Sequence, residues 1–121
     1  MLLKLHKEPI SNRQLKVGEI IRRVLIEIFI HDLYDRIIEE ARLTVTEVKV
    51  SPDLKQANVY ISPLFGKNIN RKELMLHLKS LNPKIRYLVT NKVKLRSSPE
   101  IKFKYDNSFD EAAKIQKLLD N

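Results

Sequence analysis

The stretch LTVTEVKVSPDLKQANVYIS, residues 43–62, decides how the chain must fold. Val48 and Val50 alternate with Glu47 and Lys49, and Ala57, Val59 and Ile61 alternate with Asn58 and Tyr60. Successive side chains of a strand point to opposite faces, so this two-residue period gives two strands, each with one face to bury. Between them SPDLKQ is turn chemistry: Pro52 fixes its own dihedral and Asp53 can accept bonds from nearby amides. Val45 is out of step with Val48, which predicts a bulge or a strand partly covered on both faces.

Helical periods flank this hairpin. Upstream, Ser11 and Gln14 have the form of a capping box, and Val17, Ile20, Ile21, Val24, Leu25 and Ile28 follow on one face at a period of 3.6. Leu15, Ile26, Phe29 and Ile30 lie toward the other side, so this helix is either covered twice or bends before Leu33. Residues 31–42, HDLYDRIIEEAR, read as a short second helical turn plus connector. Downstream, Asn70 with Glu73 opens a helix striped by Leu74, Leu78 and Leu81. Asn82-Pro83 then predicts a restart, with Asn82 as cap and Pro83 at the first helical position, and Ile85, Leu88, Val89 and Val93 line that next helix. In residues 99–105 Ile101, Phe103 and Tyr105 alternate with Lys102 and Lys104, a third strand. Ser108 with Glu111 opens a last helix whose apolar contacts are expected from Phe109, Ala112, Ala113, Ile115 and Leu118 or Leu119. The order is α-β-β-α-α-β-α, an α+β sandwich with a three-stranded sheet, helices packed on one face and the other face open.

A chain of 121 residues with 43% hydrophobic content supports one core. Residues 11–120 are expected to form a single domain behind a flexible N-terminus, residues 1–10. No segment approaches the roughly 18 uninterrupted apolar residues that cross a bilayer, since the most apolar run, EIIRRVLIEIFI, carries Arg22, Arg23 and Glu27. The opening MLLKLHKEPI lacks the apolar block and cleavage site of a secretory signal. Without cysteine there is no disulfide framework, thiolate zinc site or cysteine nucleophile, and a cytoplasmic location is expected. The net charge of +8 is localised: residues 79–104 hold Lys79, Lys84, Arg86, Lys92, Lys94, Arg96, Lys102 and Lys104 against Glu100 alone. A field of one sign is what phosphate binding requires.

Little in the sequence points to catalysis or metal. His6, His31 and His77 are dispersed, and His31 with Asp35 supplies two ligands at helical spacing where a site wants three or four. Gly18 and Gly66 cannot build a phosphate-cradling loop. No catalytic residue, metal or cofactor is expected. The candidate nucleic-acid contacts are Lys84 and Arg86 near a helix start, Lys94 and Arg96 in the following segment, and Lys102 and Lys104 on the outward face of the third strand. Only Tyr60 and Tyr87 are expected to offer outward aromatic faces, which favours recognition of phosphate, sugar and shape over base identity.

The runs TVTEVKVSPDLKQANVYIS (44–62), LRSSPEIKFKYDNSFDEAAKIQKLL (95–119) and NRQLKVGEIIRRVL (12–25) together resemble ribosome-binding factor A, a family of bacterial small-subunit assembly factors. The resemblance implies a type II KH-like fold. It implies binding to the free small (30S) ribosomal subunit and its 16S ribosomal RNA, assistance to late maturation near the 5′ end of that RNA, and a role in cold adaptation. It further implies a protein that is not an enzyme; a monomer with no membrane or small-molecule partner is expected. Two positions depart from the family pattern: Leu81-Asn82-Pro83 stands where an Ala-x-Gly kink is usual, and Asp32-Leu33-Tyr34 where Asp-Pro-Arg is often seen. The competing readings are a general KH-like RNA- or DNA-binding module not tied to the ribosome, and an adaptor whose basic face meets an acidic protein.

Overall fold

The computed structural model describes residues 9–64, 69–95 and 97–120. Its spine is the hairpin: β1 (Leu43–Val50) runs antiparallel to β2 (Gln56–Pro63), and β3 (Glu100–Tyr105) lies parallel to β2 on the other side, giving the order β1-β2-β3. Asp53 organises the turn as expected, its Oδ1 accepting from the Lys55 amide at 3.0 Å and the Ser51 hydroxyl at 2.6 Å. These bonds, the Ser51 hydroxyl first, hold its carboxyl below the ordinary value. The bulge is also present. Val45 pairs with Ile61 and Glu47 with Tyr60, so Thr46 has no partner in the ladder. Its freed hydroxyl lies 2.5 Å from Asp106 Oδ2, which ties β1 across the sheet to the end of β3.

The capping box opens α1 (Asn12–Glu27): the Gln14 amide donates to Ser11 Oγ at 3.1 Å and the Ser11 amide to Gln14 Oε1 at 2.9 Å. The conflict between its two apolar faces is resolved by a single π-helical turn, Ile28–Asp32, in which the Leu33 amide donates to Ile28 O at 2.9 Å. Residues four apart drift by about 40° around an α-helix. The wider turn takes up that drift, so that Ile21, Leu25, Phe29 and Leu33 all reach the core, while Leu15, Ile20 and Ile30 stay exposed. Ile20 therefore leaves the core face assigned to it by period alone. Asp35 then caps α2 (Arg36–Ala41), its Oδ1 accepting from the Ile38 amide at 3.0 Å.

Asn70 caps α3 (Arg71–Lys92) through the Glu73 amide at 3.0 Å. The restart at Asn82 is corrected: the two helices expected on either side of Asn82-Pro83 run together as one helical span with Pro83 inside it. An interior proline removes one backbone bond. The buried stripe Leu74, Leu78, Ile85 and Val89 keeps a single helical face across that gap, so core packing holds the helix together. Asn82 is free for another task, and its Nδ2 donates to Ile101 O of β3 at 2.8 Å.

The helices cover the sheet face formed by Val45, Ala57, Val59, Ile61 and Ile101, and fully burying each of its valine and isoleucine side chains contributes about 1.5–3 kcal/mol. A histidine–carboxylate hydrogen bond and an ion pair fasten α3 to the acidic connector. His77 Nε2 lies 2.9 and 2.8 Å from the two Asp35 oxygens and must donate, because a carboxylate only accepts. Lys92 Nζ stands 3.0 Å from Asp32 Oδ2, a buried oxygen without a hydrogen bond that the ammonium alone compensates among the described residues. Finally α4 (Ser108–Leu119) starts at the expected residue by different means: the Ser108 amide donates to Asp106 Oδ1 at 2.8 Å, so Ser108 is the first helical residue and not its cap. The expected core contacts of α4 are corrected too. Ile115, Leu118 and Leu119 are 58%, 75% and 74% exposed, because this helix follows the end of β3 past the edge of the core. The side chains of Phe109 and Ala113, and of Glu111 in the expected capping box, lie outside the described residues.

Candidate nucleic-acid interface

α3 shows a second stripe to solvent. Lys72, Lys79 and Arg86 recur every seven residues, two turns, which is about 10 Å per step along the helix. β3 is the edge strand beside it, with Ile101 buried and Lys102 and Lys104 exposed in the predicted alternation. Between them runs a groove of ≈ 530 Å³. Lys72, Lys79, Lys102 and Lys104 supply its positive charge, and Met75, Leu76, Ile101 and Phe103 its apolar lining. The Asn82 bond to Ile101 O ties the helix to the strand at this groove. Four exposed ammonium groups over apolar surface suit a flexible polyanion: each lysine acts as a mobile point charge, and the apolar lining accepts sugar or base faces.

The candidate residues named from sequence fare differently. Lys102 and Lys104 enter the groove together. Lys84 and Lys94 are exposed outside it. Arg86 has its Nε–Nη2 edge occupied, donating at 3.0 Å to Ser98 Oγ and at 3.0 Å to Ser98 O, so that edge is not open for a two-bonded phosphate. Thr90 Oγ1 donates to the same Ser98 hydroxyl at 2.6 Å. Arg96 lies outside the described residues. Lys92, part of the basic window, is neutralised by Asp32. Lys72 and Lys79 were absent from the sequence-derived set, and the signal that finds them is the seven-residue recurrence with Arg86, visible only if residues 71–92 are read as one helix.

The open sheet face carries Lys49 with its Nζ 5.5 Å from the centre of the Tyr60 ring, and Arg71 lies 3.8 Å over the Tyr105 ring. Both rings are thus covered by a cation. Among the described residues no three His, Asp or Glu side chains gather as a metal site, and no helix is long and apolar enough to cross a membrane.

The family model described as ribosome-binding factor A matches residues 13–119. A ribosome-binding factor A of Rickettsia typhi is 43% identical over 110 residues, covering 90% of this chain and 86% of that one. Among solved structures, a putative ribosome binding factor A of Thermotoga maritima aligns with a TM-score of 0.66 at 28% identity, covering 81% of this chain and 90% of that one. A homology model of the Thermus thermophilus ribosome binding factor A, fitted into a cryo-EM map of a 30S complex, aligns with a TM-score of 0.60 at 18% identity, covering 82% of this chain and 97% of that one. That last likeness speaks to the fold.

Proposed function

The chain belongs to the ribosome-binding factor A family, and from that premise we propose that it binds the free small (30S) ribosomal subunit during assembly, holding 16S ribosomal RNA in the groove between α3 and β3. It assists late maturation of that RNA near its 5′ end. It acts by binding and not by catalysis, as a cytoplasmic monomer without a cofactor. The observation that carries the reading is the groove itself, four exposed lysines around an apolar lining at an open sheet edge. The match to the ribosome-binding factor A family over residues 13–119 supports a ribosomal partner.

The test is co-sedimentation with isolated small and large subunits over a salt series. Binding to small subunits only is expected, with a log–log salt slope of about 3 for roughly four phosphate contacts on a single strand. Lys102→Gln with Lys104→Gln should weaken binding and lower that slope by about 1.4, at an unchanged thermal midpoint, because exposed lysines add little to stability. Equal binding to both subunits would favour a general nucleic-acid module, and parental binding by the lysine pair at every salt concentration would remove β3 from the interface.

A further inference from the structure

Resting on that RNA-binding reading, we propose that the recess around Pro83 and Tyr87 receives a single unpaired nucleobase stacked on the Tyr87 ring. The recess, ≈ 620 Å³, lies along the same solvent stripe of α3 as the lysine groove and shares Lys79 and Asn82 with it. A strand whose phosphate rests on Lys79 can therefore place a base in the recess. Tyr87 is 65% exposed there, whereas Tyr60 and Tyr105 in the sheet already carry a cation over their rings. Pro83, one turn before Tyr87, adds a flat apolar surface on the same helical face. Arg86, Thr90 and Ser98 bond to one another, which fixes part of the lining before any ligand arrives. An exposed aromatic ring in a preformed recess beside cations is the arrangement that stacks bases without reading a phosphate.

Stacking has a signature that a phosphate contact lacks. It releases no counterions, and it needs a base that is out of a duplex. The probes are a labelled single-stranded RNA oligonucleotide of mixed sequence and the same strand annealed to its complement, titrated with the parent, Tyr87→Ala, Tyr87→Phe and the Lys72→Gln, Lys79→Gln pair. Tyr87→Ala is expected to weaken single-strand binding roughly ten-fold with an unchanged salt slope, and to leave duplex binding as it was. Tyr87→Phe should bind like the parent. Thermal melts of the variants should coincide, since the ring is exposed. Parental single-strand affinity of Tyr87→Ala, or an equal loss on both probes, overturns the recess. If the lysine pair weakens binding while Tyr87→Ala does not, the lysine groove stands and the base site falls. If the parent binds neither probe, the interface and the recess fall together.

Discussion

Gly18 is decided by one contact. A Cβ built on it would stand 2.6 Å from the Val48 carbonyl oxygen, a backbone atom that cannot rotate away, so α1 crosses β1 at a distance only glycine allows. Two effects of Gly18→Ala oppose each other: alanine favours a helix interior by about 1 kcal/mol, and overpacking against backbone costs about 1–3 kcal/mol. The clash should win, and a urea melt should show net destabilisation; a rise in midpoint would mean that α1 can slide off β1. Asn82 poses a similar choice. As a helix cap it would tolerate aspartate, which caps equally well. As the donor to Ile101 O it cannot, because a carboxylate would face a carbonyl. Asn82→Asp is therefore expected to lose about 1–2 kcal/mol by denaturant melt, and no less than Asn82→Ala; a neutral Asn82→Asp would restore the capping role.

At the scale of elements, α3 is held to its neighbours by charge as well as by its apolar stripe. Burial raises the Asp35 carboxyl pKa, but the Ile38 amide and His77 outweigh it and leave it below the ordinary 3.8. Bonds from Ser108 and Thr46 hold Asp106 low as well. A carboxyl with a depressed folded value binds its proton more readily in the unfolded chain. Its contribution is present above the unfolded value near 4 and is lost as pH falls through the folded value. Asp35→Asn separates the roles, since asparagine still caps α2 but carries no charge for His77. The variant should be less stable than the parent at pH 7, by about 1–2 kcal/mol. The gap should close as the pH falls below 4. A gap that stays constant to pH 2 would show that the His77 contact contributes nothing through ionisation.

The whole molecule divides into a stapled core and an outer part that contributes little to it. Phe29 and Phe103 meet at 6.3 Å between ring centres, joining the π-helical turn to β3, so the lysine-bearing strand is anchored from below. By contrast the described apolar side chains of α4 touch solvent. Replacing Ile115, Leu118 and Leu119 together by alanine should shift the unfolding free energy by no more than about 0.5 kcal/mol per site. Ile85→Ala, fully buried in α3, should cost about 2–5 kcal/mol. The two results in one set of thermal melts would define where the core ends; a large loss from the α4 variant would mean that this helix packs on the body in solution.

Local chemistry fixed much of this in advance. The two-residue period of β1 and β2, the Asp53 turn, the caps at Ser11 and Asn70, the bulge beside Val45 and the alternation of Lys102 and Lys104 all follow from residues a few positions apart, where covalent geometry limits what can meet. What failed to be legible depended on distant residues. Whether Pro83 breaks or merely interrupts a helix turns on whether Leu78 and Ile85 share a core. Whether α1 bends or widens turns on which side chains Phe29 and Leu33 find there. The candidate site divides in the same way. Its two β3 lysines were readable from strand period alone, but their joining with Lys72 and Lys79, and the occupation of Arg86 by Ser98, are outcomes of packing α3 against an edge strand some twenty residues further along the chain. A cation's sequence position gives its charge; only the fold decides whether that charge faces a neighbour or remains open to a phosphate.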